Sequence, residues 1–124
     1  MNRYASLLAV AIAIALTACA GGGVTPALQA DLTARLASAQ PAITSCYQRS
    51  LTTNRKLRGM YVVQFATAPN TGQFTEINLR RDEPQDPVLR FCVISELAKL
   101  RLAKPTSTRI EVESAPIKFD WSNP

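Results

Sequence analysis

Residues 24–124 alternate between helix-period and strand-period hydrophobic patterns. Thr25-Pro26 offers a cap and a proline at the first helical position. Leu28, Leu32, Leu36 and Ala39 then recur at spacings of four and three, which predicts a helix over 26–40 with one apolar stripe. Pro41 should end or kink it. A second helix is expected from Pro41 to about Thr52, with Ile43, Cys46, Tyr47, Ser50 and Leu51 on one face. From Arg58 to Thr67 the period changes to two: Tyr61, Val63 and Phe65 point one way, Met60, Val62 and Gln64 the other. Ala68-Pro69-Asn70-Thr71-Gly72 reads as a turn. Phe74 to Arg81 reads as the returning strand, with Ile77 and Leu79 inward and Glu76, Asn78 and Arg80 outward. Asp86-Pro87 repeats the cap-and-proline start, and a helix is expected from Val88 to Arg101 on the stripe Leu89, Val93, Leu97, Leu100, with Val88 and Cys92 beside it. Thr108 to Trp121 alternates again, placing Ile110, Val112, Ile117, Phe119 and Trp121 inward. The phase change at Ala115-Pro116 suggests a bulge on an edge strand. The expected fold class is therefore α+β, a small two-layer domain. It has a three-stranded antiparallel sheet with helices on one face, in the order α-α-β-β-α-β.

The first residues follow a different logic. Met1-Asn2-Arg3-Tyr4 carries one positive charge, and Ala5 to Leu16 is apolar except for Ser6. As a helix that run spans about 18 Å, short of a bilayer core of about 30 Å, so it reads as an export segment and not a membrane span. Leu16-Thr17-Ala18-Cys19 resembles the bacterial lipobox, which implies cleavage before Cys19 and acylation of its thiol. An ordinary signal peptide is the alternative. Two or more acyl chains hold a protein on a membrane stably, where one is marginal. In the sorting pattern of enteric-type lipoproteins Ala20, in place of Asp, implies the outer membrane facing the periplasm. The expected organisation is a lipoprotein signal peptide at 1–18, a lipidated Gly-rich tether at 19–25, an N-terminal helix at 26–40 and the main domain at 41–124.

Composition narrows the chemistry. The 124 residues include 14 Lys+Arg, 9 Asp+Glu and no His, so the commonest general base and metal ligand are missing. No catalytic, metal or cofactor site is expected. Gly21-Gly22-Gly23 lacks the strand and the Lys-Ser/Thr of a phosphate loop. Glu111 and Glu113 read as a solvated strand face and not as paired catalytic acids. Arg55, Lys56, Arg58, Arg80 and Arg81 could form one basic patch for anionic lipid or an acidic partner, with Asp82, Glu83 and Asp86 near enough to neutralise it. The export address argues against nucleic acid. Cys46 and Cys92 remain as an even pair in an oxidising compartment. A disulfide between them would close a loop of about 47 residues, worth roughly 4 kcal/mol. Two separate buried thiols are the alternative.

Several segments together carry a resemblance to a known family. They are Cys46-Tyr47-Gln48-Arg49-Ser50-Leu51, Leu57-Arg58-Gly59-Met60-Tyr61-Val62-Val63-Gln64-Phe65, Gly72-Gln73-Phe74-Thr75-Glu76-Ile77, the helix with Cys92, Leu102-Ala103-Lys104-Pro105, and Glu113 to Asp120. Over residues 42–121 the chain resembles the C-terminal domain of TonB and TolA proteins, and its two cysteines are most similar to variants in gliding-motility proteins. The resemblance implies a non-enzymatic module that binds a periplasmic or outer-membrane protein, commonly by adding a guest strand to a sheet edge. Arg109, Glu111, Glu113 and Lys118, on or beside the last strand, are the candidate partner-binding residues. TonB and TolA cross the inner membrane and span the periplasm on a rod. Ahead of its first predicted helix this sequence shows a lipid-anchor motif and a short tether, so the binding module carries over and the energy transduction does not. The remaining expectations are a structural accessory subunit of a trans-envelope secretion, pilus or motility machine, and a decoy or exclusion factor that mimics a TolA or TonB domain.

Overall fold

A computed structural model describes residues 24–120. The export segment, Cys19, the tether through Gly23, and Trp121 lie outside the described residues. The elements are α1 (Pro26–Thr53), β1 (Gly59–Thr67), β2 (Phe74–Asp82), α2 (Pro87–Leu97), β3 (Ile110–Glu113) and β4 (Ile117–Phe119). The fold is α+β, with two helices and a four-strand antiparallel sheet. The order is thus α-β-β-α-β-β, where the periodicity predicts three helices and three strands.

The two predicted N-terminal helices are one helix of 28 residues that runs through Pro41. Its buried positions Leu28, Leu32, Ala39, Ile43, Cys46, Tyr47 and Ser50 stay in one phase across the proline. Breaking the helix there would take one half of the stripe off the core. Pro41 sits on the exposed side, where its missing N–H costs one ladder bond and leaves the buried stripe intact. The start is capped as expected, with Thr25 Oγ1 accepting from Leu28 N–H at 3.1 Å.

β1 is the central strand. Tyr61, Val63 and Phe65 are buried toward the helices, and Phe65 stacks on Phe74 of β2 with ring centroids 4.5 Å apart. β1 and β2 form the expected hairpin, with Asn70 and Gly72 at positive φ in its turn. The register slips twice, between Val62/Val63 and between Gln64/Ala66. The second slip coincides with Glu76 at φ 52, a bulge that lets Phe74 and Ile77 both face the core despite their odd spacing.

α2 stops at Leu97, four residues before the expected Arg101. Beyond it the backbone binds the hairpin instead of continuing the helix: Phe74 N–H donates to Leu100 C=O at 3.0 Å and Leu102 N–H to Gly72 C=O at 3.0 Å. Leu89, Val93 and Leu97 are buried as expected, whereas Val88 is 70% exposed instead of packing beside that stripe. α2 runs back along α1 in the opposite sense. Cys46 meets Cys92, and beyond the end of α2 the Asp31 carboxylate accepts the N–H groups of Ala103 (3.1 Å) and Lys104 (2.9 Å).

The predicted last strand is two short ones, both paired antiparallel to the same flank of β1. At the break Ser114 keeps contact: its N–H donates to Val63 C=O at 2.7 Å and its hydroxyl accepts from Val63 N–H at 3.1 Å. A side-chain oxygen thus stands where the ladder would use a carbonyl, and Pro116 lies just beyond. One apolar cluster, from Leu28 to Phe119, fills the space between helices and sheet.

Candidate functional site: the sheet edges and the helix pair

In an antiparallel ladder residues alternate between exchanging hydrogen bonds with the partner and pointing their backbone groups away from it. Gln64 pairs with Glu113 and Phe65 with Val112, and the Ser114–Val63 contact continues that register. Ser114, Val112 and Ile110 therefore bond toward β1, while the N–H and C=O of Glu111 and Glu113 point outward. No strand pairs with that flank among the described residues. The β2 flank is also unpaired beyond its first residues, where Gln73 bridges Arg101. Its two register shifts interrupt it, so β3 is the straighter edge although it is four residues long.

The four sequence-selected residues all decorate this side of the sheet, but only two come together. Arg109 donates from Nη1 to Glu111 Oε1 at 2.7 Å and from Nε to Glu76 Oε2 at 2.9 Å, and its Nη2 also contacts Glu76. The hydrogen bond to Glu111, then that to Glu76, raises the guanidinium pKa above its already high value. Arg109 therefore ties β2 to β3 across the outer face of β1. Glu113 lies opposite Gln64, and Lys118 lies opposite Met60 on β4, away from the triad. Glu76 is the member that sequence reasoning missed as a partner. Its outward position was legible, and the bulge that brings it to Arg109 has no composition signal.

On the other layer, Cys46 and Cys92 lie at disulfide distance, 2.07 Å between sulfurs and 5.8 Å between Cα atoms, joining α1 to α2. Cys46 is buried and Cys92 half-buried, with Arg49 Nη2 3.4 Å from the Cys92 sulfur. Two buried tyrosines contrast in their hydroxyls. Tyr47 donates to Leu57 C=O, while the Tyr61 hydroxyl has no protein partner. Burial pushes both pKa values above 10.0, helped by Asp120 at Tyr47 and by Asp82 and Asp86 at Tyr61.

Of the acids expected to neutralise the basic patch, Glu83 does so at Arg81, while Asp82 and Asp86 are engaged outside it. Glu83 pairs with Arg81 at 3.1 Å, Asp82 with Arg90 at 3.4 Å, and Asp86 caps α2 by accepting from Leu89 N–H at 2.8 Å. Among the described residues there is no helix long and apolar enough to cross a membrane, and no group of three or more potential metal ligands. Comparison with protein-family profiles, characterised proteins and solved structures returns no match.

Proposed function

We propose that this chain is a bacterial lipoprotein, acylated at Cys19 and held on the outer membrane facing the periplasm. In this reading its TonB/TolA-like α+β domain binds another envelope protein and catalyses nothing. The observation that carries the binding role is the outer flank of β3, where the Glu111 and Glu113 backbone groups have no partner strand among the described residues. An extended segment of a partner would add to the sheet there, its backbone satisfying those groups. The His-free composition supports a binding role over a hydrolytic one.

The test is Glu113→Pro. Proline removes an N–H that points away from β1, so the β1–β3 ladder keeps its bonds and the melting temperature stays at the wild-type value. Complexes recovered from detergent-solubilised envelopes should lose the partner in this variant. Unchanged recovery of the same partner would refute strand addition at β3. The anchor is tested separately: Cys19→Ser should abolish palmitate labelling, and a labelled mutant would refute acylation at that thiol.

A further inference from the structure

α2 carries a second stripe that its core contacts do not use. Leu89, Val93 and Leu97 face inward, while Val88 and Phe91 project outward at 70% and 77% exposure, the large apolar side chains left exposed among the described residues. They border an open groove of about 310 Å³ between the helices, floored by the Cys46–Cys92 pair and Ser50, with Arg49 on its rim. Glu96, also on the rim, is paired with Lys99 at 2.9 Å.

Cations gather at this end of the domain. Tyr47 holds Leu57 C=O, which ties the turn carrying Arg55 and Lys56 back to the end of α1. Met60 N–H donates to Glu83 Oε1 at 3.0 Å and so brings the far end of that turn to the segment entering α2. Arg81, Arg90 and Lys99 engage the nearby carboxylates. Arg49, Arg55 and Lys56 belong to none of those pairs, while the Asp86 carboxylate caps the positive end of α2.

We propose that Val88 and Phe91, with Arg49 on the groove rim and Arg55 and Lys56 in the turn that follows α1, form a second membrane contact. The two apolar tips enter the interface of an anionic phospholipid bilayer, and the cations meet lipid phosphates. This rests on the membrane-tethered reading above. Two side chains are too small a patch for a stable protein interface of about 800 Å² per partner, whereas a bilayer requires no matching surface. Each cation near an anionic leaflet strengthens the contact about fivefold. The geometry also permits it. α1, at 28 residues, is about 42 Å long, and residues 20–25 extend to at most about 20 Å. Anchor and patch can thus touch one bilayer only with α1 lying along it. Between Gln29 and Gln48 the charged α1 side chains are Asp31 and Arg35, paired with each other at 3.8 Å with Arg35 38% exposed, so the charge that pose brings toward the lipid from this stretch is one ion pair. The sheet layer, with the β3 edge, then faces away from the lipid.

The test uses the full chain, purified from envelopes and reconstituted on vesicles. Phe91→Trp in a Trp121→Phe background leaves one indole reporter, at an exposed site on α2. On vesicles containing anionic phospholipid, the emission of that indole should shift to the blue and be quenched by brominated acyl chains. Arg49→Ala should lower the docked-to-undocked ratio about fivefold. A chain that floats with the vesicles while the reporter remains water-like and unquenched overturns the second contact and leaves the anchor standing. That result would turn attention to an acidic, apolar peptide as the groove's occupant. A chain that does not float at all overturns both.

Discussion

Replacing both Cys46 and Cys92 by alanine tests how much of the fold depends on one cross-link. The sequence separation of 46 puts the loop-closure contribution at about 4 kcal/mol in the chain-entropy model. A domain of this size has roughly 5–15 kcal/mol in total, so the loss takes a large share. With an unfolding entropy of about 2.1 cal/mol/K per residue, it corresponds to a fall in Tm of roughly 20 °C. Circular dichroism melts of the wild type and the double variant, at equal protein concentration, measure it. The same structure makes a kinetic statement. A reductant reaches the half-buried Cys92 sulfur and must expel Cys46 as a thiolate into an apolar interior, where the charged form is disfavoured. Reduction by dithiothreitol should therefore be slow without denaturant and fast with it. A Tm change of only a few degrees would refute the loop-entropy argument, and rapid reduction of the native protein would refute the leaving-group argument.

The two buried tyrosines should respond in opposite ways to loss of the hydroxyl. Tyr47→Phe strands the Leu57 carbonyl and should cost about 1–3 kcal/mol in urea unfolding, whereas Tyr61→Phe removes an unpartnered group and should be neutral or stabilising. Both pKa values are raised on folding, so their contribution is complete below pH 10 and is lost as pH climbs toward the folded values. Stability should fall above about pH 10, less steeply in Tyr61→Phe, and identical alkaline limbs would contradict this. Gly72→Ala places a Cβ 2.8 Å from the Leu102 Cβ at a φ of +69 and should destabilise by more than about 1 kcal/mol, read as a lower urea midpoint.

Periodicity located the hairpin, the inward faces of β1 and α2 and the capped helix starts, because each depends on neighbours within a few residues. It failed where distant groups compete for the backbone. Leu97 to Leu100 is a helical spacing, and only the hairpin's demand for the Leu100 carbonyl and the Leu102 N–H ends α2 early. At Pro41 the phase of the stripe outweighs the local rule: Ala39 to Ile43 preserves that phase, and α1 continues through the proline. The pairing of Cys46 with Cys92 was open to sequence reasoning because, of the three cysteines, Cys19 falls in the lipobox-like motif and the other two then allow one partner choice. The Arg109–Glu76 contact was not, since it depends on a positive-φ glutamate that nothing nearby requires.

Both flanks of the sheet carry devices that discourage pairing: register shifts on β2, and a four-residue strand followed by Ser114 and Pro116 on the other side. Short and interrupted edges protect a small domain from aggregation. The same features set limits on a guest. Along β3 a partner strand meets outward groups at Glu111 and Glu113 alone, so it gains few backbone bonds and must draw the rest of its affinity from side chains. Those available on the outer face are mostly polar, Gln64, Asn78, Glu113 and Lys118, with Met60 and Val62 of β1 half-buried among them and Arg109 and Glu111 held in their own ion pairs. Binding at such an edge should be weak and salt-sensitive, in contrast to an obligate apolar interface. A dissociation constant that stays constant between low and high salt would place the partner on another surface. If Arg109→Ala strengthens binding by freeing Glu76 and Glu111, the guest carries the positive charge. If it weakens binding, the ion pairs act by holding β3 straight for the guest.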